Sequence, residues 1–174
     1  KELSLPVTSP HFLIKRDYKS ILDIGCGAGT DIYLISKRIK SSTIVGVDIS
    51  LPLLKEGKKV HNLSVANANA QYLPFKNDTF DLVIMNGTFN QINEKISFLS
   101  ELRRVMKENG HLIISDVFKK DDIIEVEEGM AFNINSAFSK VDLLSFFDRA
   151  DFELLDSFFN EDFTKEFGVF SCLW

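Results

Sequence analysis

The residues with the clearest chemical potential form a glycine-rich stretch near the start of the chain. Gly25, Gly27 and Gly29 stand at alternate positions, directly after a short apolar run and directly before a segment with helical periodicity. Glycine at such a junction permits a sharp turn and lets a ligand approach the backbone where a Cβ would collide. Open α/β sheets bind nucleotides at the carboxyl end of a first strand. The pattern predicts a nucleotide-binding loop, with a purely structural tight turn as the alternative.

An acidic residue follows at a distance that fits a ribose contact. Asp48 lies nineteen residues beyond Gly29 and ends a second apolar run. A carboxylate there can accept hydrogen bonds from both hydroxyls of a ribose. The competing interpretation is that Asp48 only caps the helix expected after Ser50, where Pro52 suits a first turn. Because the glycines lie just upstream, we favour ribose binding.

Short β-branched runs that alternate with helix-period segments must position these residues. The runs span 20–24, 43–47, 80–85 and 111–115. They are nearly continuous in apolar character, as expected of parallel strands that are buried on both faces. Between the first two, Ile32, Ile35 and Ile39 share one helix face, and Asn109-Gly110 is expected to end the helix before the last. This order predicts a doubly wound α/β sheet with right-handed crossovers.

The remainder of the chain is rich in phenylalanine. Ten of the sixteen Phe residues fall between Phe132 and Phe170, where we expect one helix and two strands. The predicted helix spans 141–150, and the strands span 152–158 and 167–173. We predict a short leader over 1–18 and one domain over 19–174, with its core at 19–118 and its completion at 119–174.

Composition excludes several classes of protein. The net charge of −5 argues against a broad grip on nucleic acid, and arginines such as Arg103 and Arg104 are interpreted as solvated helix faces. No stretch approaches the roughly 20 apolar residues of a membrane span, so no membrane contact is expected. Cys26 and Cys172 alone cannot build a disulfide framework or a Cys-rich zinc site. We therefore expect no metal and a cytoplasmic setting.

The glycine spacing separates two cofactor classes. A nicotinamide fingerprint needs its third glycine or alanine one residue later than Gly29, where Thr30 stands. The observed spacing instead resembles the first motif of class I S-adenosylmethionine-dependent methyltransferases. The resemblance extends from about residue 21 to 118. Asn-Ala-Gln-Tyr-Leu-Pro-Phe at 69–75, Asp-Thr-Phe-Asp at 78–81 and the helix and strand at 102–117 are similar to that family's later motifs.

The resemblance implies a fold, a cofactor and a set of contacts. The fold would be a Rossmann-like sandwich with a seven-stranded sheet, mostly parallel with one antiparallel strand. S-adenosylmethionine would lie over the glycines, with Asp23 holding nearby polar groups and Asp48 the ribose hydroxyls. The implied cofactor-binding residues are Asp23, Gly25, Gly27, Gly29, Asp48, Ile49, Asn69, Ala70 and Asn86. Ile49 would pack on adenine, Asn69 would accept a hydrogen bond from the adenine amino group, and Asn86 would lie beside the amino-acid end of the cofactor. Turn or cap roles are the alternatives, above all for Asn69 and Asn86.

The acceptor side is less defined by the sequence. Residues 86–95 and 114–117 look most like the branch with arsenite methyltransferases, but Gly87 and Asn133 stand where that branch has cysteines, so soft-metal chemistry is disfavoured. The histidines are interpreted as structural or solvent-facing, and no catalytic residue is assigned. Polar contacts near the methyl donor are predicted for Asn90, Gln91, Asn133 and Asn135. The phenylalanines form core, an acceptor pocket or a dimer face, with core favoured.

The sequence thus predicts a small-molecule methyltransferase. The alternative is a cofactor-binding module of a larger enzyme or complex, without its own acceptor site. Only twenty residues precede Ile21, so we expect an open site, or one that is covered by a partner subunit in a homodimer or complex or by a missing segment.

Overall fold

Strands and helices alternate through the first two thirds of the chain in the computed structural model, which describes residues 14, 16–40, 42–61, 63–117, 138–160 and 167–173. The strands are β1 (Ser20–Ile24), β2 (Thr43–Asp48), β3 (Val65–Asn67), β4 (Phe80–Asn86), β5 (Met106–Val117), β6 (Glu153–Asn160) and β7 (Phe167–Leu173). The helices are α1 (Thr30–Arg38), α2 (Leu51–His61), α3 (Lys95–Val105) and α4 (Lys140–Arg149), with a 3-10 turn at Phe89–Gln91.

The strands form one sheet in the order β3-β2-β1-β4-β5-β7-β6. The first five run parallel, whereas β7 runs antiparallel to both β5 and β6. The predicted α/β class and the mostly parallel sheet are confirmed. Strand order reverses between β1 and β4, and a crevice for ligands forms at such a switch point, outside the carboxyl ends of the strands.

The central strands explain the continuous apolar runs. On β4, Val83 and Met85 face one buried cluster with α3 and α4, while Leu82 and Ile84 face a second cluster with α1 and α2. All four side chains are fully buried. Each contributes about 1.5–3 kcal/mol by leaving water, so this strand is a rigid support for the residues at its end.

The helix before β5 ends earlier than predicted. It stops at Val105, and Asn109 adopts a left-handed φ of 59° within β5 instead of capping the helix. The reason is tertiary, because the backbone N–H groups of Asp78 and Thr79 donate to the carbonyls of Arg104 and Val105. The register between β4 and β5 shifts over the same stretch.

A polar cluster ties the central strands together at their amino ends. The Asp81 carboxylate on β4 accepts from the backbone N–H and the hydroxyl of Ser20 at the start of β1, each at 2.9 Å. Lys107, near the start of β5, donates to the same carboxylate at 2.8 Å. This cluster, which we call the amino-end anchor, lies at the edge of the sheet opposite the switch-point crevice.

The phenylalanine-rich region contributes to the core where its side chains are described. Phe147 on α4 and Phe152 before β6 are buried in the cluster that covers one face of the sheet. Phe147 stacks on Phe89 with ring centroids 5.6 Å apart. The core interpretation therefore holds for these two residues.

Candidate functional site

A cavity of about 520 Å³ lies at the carboxyl ends of β1, β2 and β4. Four stretches of chain line it, namely the glycine loop after β1, the residues around the end of β2, the turn after β3, and the segment from the end of β4 through the 3-10 turn. The volume lies in the range of small-molecule pockets. Since the lining comes from the strand ends at the switch point, the cavity is the candidate site.

Most of the residues predicted to bind a cofactor meet at this cavity. Those that line it are Gly25, Gly27, Asp48, Ile49, Asn69, Ala70 and Asn86. Asp23 and Gly29 do not line it, although both belong to the segment that shapes the glycine loop. The lining also includes Thr88, Ile92 and Asn93, which the sequence did not single out as ligand contacts.

The three glycines of the loop share a left-handed backbone but differ in how closely other atoms surround them. Gly25, Gly27 and Gly29 have φ values of 74°, 52° and 81°, a region that L side chains rarely adopt. A Cβ on Gly25 would lie 2.0 Å from Thr88 Oγ1, and one on Gly29 would lie 2.0 Å from a methyl carbon of Leu63. At Gly27 the nearest atom is 3.8 Å away. The loop therefore packs tightly at its two ends and leaves open space at Gly27 beside the cavity.

Asp48 links the loop to the neighbouring strand. One carboxylate oxygen accepts the backbone N–H of Gly27 at 2.8 Å, and the other accepts that of Ser50 at 2.7 Å. Its side chain thus supports the turn into α2, as the capping interpretation requires, while it also lines the cavity. Because each ionised oxygen has two acceptor sites, further hydrogen bonds to a ligand are available.

Asp23 is buried behind the loop without a partner for one of its oxygens. It is 2% exposed, and no described residue donates to its Oδ2. Burial, together with the charges of Asp31 and Asp48, raises the pKa of its carboxyl well above the usual value. An unsatisfied buried acceptor costs about 1–3 kcal/mol. A donor or a cation that reached this oxygen would relieve that cost, and Asp23 itself does not line the cavity.

The turn after β3 provides Asn69 and Ala70. Asn69 is exposed, and its side-chain oxygen accepts the backbone N–H of Gln71 at 2.9 Å. The alternative turn role of Asn69 is therefore present in the structure, while the residue also lines the cavity. The second acceptor site of the amide oxygen is available to a ligand.

An arginine that was interpreted as solvated holds the chain just after this turn. Arg104 binds both oxygens of Glu101 at 2.7 Å and donates to the carbonyls of Leu73 and Phe75 at 3.0 and 2.7 Å. Glu101 in turn accepts the backbone N–H of Leu73 at 2.7 Å. The hydrogen bond from Arg104 lowers the pKa of Glu101. The expectation of a solvated face was wrong for Arg104, because its role depends on carbonyls brought close only by folding.

The segment after β4 forms the opposite wall. Asn86 lines the cavity and donates to Asp31 at 2.9 Å, which connects β4 to the first turn of α1. Gln91, predicted as a polar contact, lines the cavity and donates to the carbonyl of Gly87 at 2.8 Å. Asn90 is buried beside Asp116 instead and is not part of the lining. Asn133 and Asn135 lie outside the described residues.

Apolar side chains border the mouth of the cavity. Ile49 and Leu53 line it and are 75% and 47% exposed. Exposed aliphatic groups beside polar strand ends suit the face of an aromatic base. The placement of Ile49 is therefore compatible with contact to adenine.

Two other reactive side chains, those of Cys26 and His111, do not line the cavity. Cys26 is buried, and desolvation followed by the charges of Asp23 and Asp48 raises the pKa of its thiol, so its thiolate is suppressed. The Nδ1 atom of His111 and the hydroxyl of Tyr18 share a 2.7 Å hydrogen bond near the amino ends of β1 and β4. Across the described ranges, no group of three His, Cys, Asp or Glu side chains is arranged to hold a metal ion. Nor does any helix in that part of the chain have the length and apolarity to span a membrane.

Comparison with known proteins finds a family model and several relatives that match the chain. A family model described as a methyltransferase domain matches residues 15–158. An uncharacterised protein of Methanocaldococcus jannaschii is 40% identical over 101 residues, which cover 58% of this chain and 38% of that protein. The demethylmenaquinone methyltransferase of Lactiplantibacillus plantarum is 32% identical over 109 residues, which cover 58% of this chain and 46% of that enzyme. The chain therefore spans less than half the length of these two relatives.

The fold also matches a solved structure. A SAM-dependent methyltransferase from Aquifex aeolicus superposes with a TM-score of 0.76 at 22% sequence identity. The match covers 97% of this chain and 91% of that chain. At this level of identity the likeness concerns the arrangement of strands and helices.

Proposed function

The chain belongs to the methyltransferase domain family, and from this membership we propose that it transfers a methyl group from S-adenosylmethionine to a small molecule. The observation that carries the proposal is the cavity in which Asp48 and the glycine loop are joined by a direct hydrogen bond. This pairing puts a ribose acceptor beside backbone that can lie against the rest of the cofactor.

The residues present fit that cofactor at four points. Asp48 would hold the ribose hydroxyls, since its oxygens retain acceptor capacity. Asp23 would attract the ammonium group, because it directly precedes the glycine loop and its buried Oδ2 has no donor among the described residues. Ile49 and Leu53 would cover the adenine face, and the open side of Gly27 would leave room for the cofactor chain.

In this proposal the protein contributes mainly placement. The sulfonium group supplies its own leaving group when it is bound, so no residue needs to protonate the departing thioether. Asp48 is the one ionisable side chain among the described residues that line the cavity. We therefore assign the described residues to orienting the cofactor and excluding water, and we assign no catalytic base to them.

The acceptor is proposed to be a small organic molecule. The relative from Lactiplantibacillus plantarum is named for methylation of demethylmenaquinone, which makes quinone precursors the first compounds to test. Soft-metal acceptors are disfavoured, since Gly87 lines the cavity at a position where a thiolate would be needed.

A second candidate is a cofactor-binding module that works with another protein. The observation in its favour is that the matched segment spans only 38–46% of the two relatives. In that case the cavity would bind the methyl donor, but acceptor contacts would come from a partner. In this second candidate, another subunit would cover the site. Measuring the molecular mass in solution, with and without cofactor, tests whether such a complex forms.

Titration calorimetry with S-adenosylmethionine and S-adenosylhomocysteine tests the proposal. We expect both to bind and a reduced nicotinamide dinucleotide not to compete. Absence of heat from both sulfur compounds would overturn the proposal, and preferential nicotinamide binding would replace it with hydride chemistry. A screen of acceptors with methyl-labelled donor, alone and with candidate partners, then separates the enzyme from the module.

We also propose that residues 19–174 are one domain after a leader, that the seven described strands are the complete sheet, and that the protein works in the cytoplasm. Limited proteolysis of the full chain tests the first, since cleavage is expected before residue 19 and not near residue 118.

A further inference from the structure

A cluster of three buried polar residues lies behind one wall of the cavity, the wall formed by the chain after β4. Its members are Asn90 in the 3-10 turn, Lys95 at the start of α3 and Asp116 near the end of β5, which are 9%, 4% and 7% exposed. None of them lines the cavity. The chain between Asn90 and Lys95 does, through Gln91, Ile92 and Asn93. The buried group is therefore attached to both ends of a cavity wall.

Asn90 is held from two sides. The carboxylate of Asp116 accepts the backbone N–H of Asn90 at 3.0 Å and its side-chain amide at 2.8 Å. On the other side, the ammonium of Lys95 donates to the carbonyl of Asn90 at 3.3 Å. The same ammonium donates to the carbonyl of Ile92, a residue of the wall itself.

Opposing influences act on the charge of Lys95. Its nitrogen lies over two aromatic rings, 5.0 Å from the centroid of Phe89 and 4.7 Å from that of Phe138, and the face of such a ring attracts a cation. Burial lowers the pKa of Lys95 to about 8, while the charge of Asp116 acts in the opposite direction. Its place in the first turn of α3 also disfavours a cation, because the amino end of a helix carries partial positive charge. Glu94, its neighbour at the cap, is exposed, so Asp116 is the described charge that faces it inside the protein.

We propose that Lys95 and Asp116 are positioning residues that fix residues 91–93 in the cavity wall, so that cofactor affinity depends on the positive charge of Lys95. This inference rests on the proposed function. The carbonyl oxygens of Asn90 and Ile92 accept from one cation, and the carboxylate that balances it accepts the backbone N–H of Asn90. Loss of the proton leaves an amine that can still donate, but the hydrogen bonds lose their charge-assisted strength and Asp116 becomes an uncompensated buried charge.

The proposal predicts opposite responses of affinity and stability to pH. Because the pKa of Lys95 is lower in the folded protein than in an unfolded chain, the unfolded state binds more protons between pH 8 and about 10.4. From this group alone, the free energy of unfolding should therefore rise with pH in that interval. Cofactor affinity should instead fall as pH passes 8. General loosening of the protein cannot produce that combination.

The test measures the dissociation constant of S-adenosylhomocysteine between pH 6.5 and 9.5 in the full chain. Wild type, Lys95→Met and Asp116→Asn are compared. The ligand's own amino group titrates with every protein, so the difference between wild type and Lys95→Met isolates Lys95. The matched control is Lys107→Met, which removes a half-exposed lysine of the amino-end anchor, at the other edge of the sheet.

We expect the wild-type protein to lose about fivefold more affinity across this range than Lys95→Met, which should bind weakly at low pH and change only as the ligand's own amino group titrates. In Asp116→Asn the midpoint should move to lower pH, because the charge that supports the ammonium is gone. Lys107→Met should follow the wild-type curve. The midpoint in Asp116→Asn is the readout that a purely structural role would not move.

Three results would overturn the inference. If wild type and Lys95→Met have parallel curves and equal affinities, the charge of Lys95 does not position the wall, although the proposed function stands. If wild type binds no sulfur compound at any pH, the proposed function and this inference fall together. Should Lys95→Met not fold, the midpoints of wild type and Asp116→Asn decide, and equal midpoints would refute the proposal.

Discussion

The carboxylate of Asp48 accepts the backbone N–H of Gly27 at 2.8 Å, so the end of β2 and the glycine loop are one connected structure. Gly25 and Cys26 strengthen the connection, because their backbone N–H groups donate to the carbonyl of Val47 at 2.8 and 3.1 Å. A change in either strand end should therefore be felt at both.

Removal of the Asp48 carboxylate should weaken cofactor binding more than it weakens the fold. Asp48→Ala is expected to cost about 2–4 kcal/mol of binding free energy, the value of two lost hydrogen bonds to the ribose. Asp48→Asn keeps one acceptor and should lose less. Calorimetry with S-adenosylhomocysteine measures both. The exposed carboxylate of Glu56 on α2 supplies the control, and Glu56→Ala should bind normally. Unchanged affinity in Asp48→Ala would remove this residue from the site.

The ionisation of Asp23 should oppose folding and favour ligand binding. Its pKa is raised in the folded protein, so the folded state holds a proton more tightly than the unfolded chain does. The free energy of unfolding should therefore decline from about pH 4 upward until the folded pKa is passed. Asp23→Asn lacks this decline, so its stability relative to wild type should improve with pH over that interval, by about 1.4 kcal/mol for each pH unit between the unfolded and the folded pKa of Asp23.

The same variant should bind S-adenosylmethionine more weakly, because a carboxylate that attracts the ammonium group is lost. Denaturant unfolding at several pH values and calorimetry at pH 7.5 test the two parts separately. Parallel pH profiles for wild type and Asp23→Asn would contradict the first part, and equal affinities the second.

Alanine at two glycines should separate packing from ligand contact. Gly25→Ala places its Cβ against Thr88, so we expect a large loss of stability, above about 2 kcal/mol. Gly27→Ala meets no close neighbour and should lose only about 1–2 kcal/mol from its left-handed backbone. Because its methyl group lies beside the cavity, however, cofactor affinity should fall at least tenfold. Thermal unfolding and calorimetry on both variants check this, and full affinity in Gly27→Ala would refute it.

Two adjacent arginines offer a matched pair. Arg104→Lys keeps the charge but loses the fork that holds Glu101 and the carbonyls of Leu73 and Phe75, so stability should fall by about 1–2 kcal/mol. The neighbouring turn with Asn69 and Ala70 should become less ordered, which weakens cofactor binding severalfold.

Arg103 is the control for that experiment. It contacts Ala150 and Asp151 at the end of α4, away from the turn. Arg103→Lys should therefore leave cofactor affinity unchanged. If the two variants bind alike in calorimetry, the position of the turn does not depend on Arg104.

The parts of the fold that were predicted correctly are those governed by local pattern. The run at 80–85 is apolar on both faces because β4 has buried neighbours on both faces, and Ile32 and Ile35 lie inward because helical period places them together. The closeness of the glycine loop and Asp48 could also be predicted, because both follow directly from the carboxyl ends of two adjacent parallel strands.

What the sequence could not provide depends on partners that are distant along the chain. The sequence predicts that Asn109 ends a helix, but the helix ends at Val105, where the carbonyls of Arg104 and Val105 accept hydrogen bonds from the backbone N–H groups of residues 78 and 79. Lys95 resembles any polar residue at a helix start, and only the folded protein surrounds it with Phe89 and Asp116. A possible signal was its position within a short segment of asparagines and glutamine that follows β4, but that pattern does not indicate burial.

The amino-end anchor has a practical consequence for redesign. Asp81, Ser20 and Lys107 keep β1, β4 and β5 aligned from the rim that faces away from the cavity. Mutant libraries confined to the opposite rim leave these hydrogen bonds intact, so the alignment of the three strands at their amino ends is kept while acceptor preference is varied.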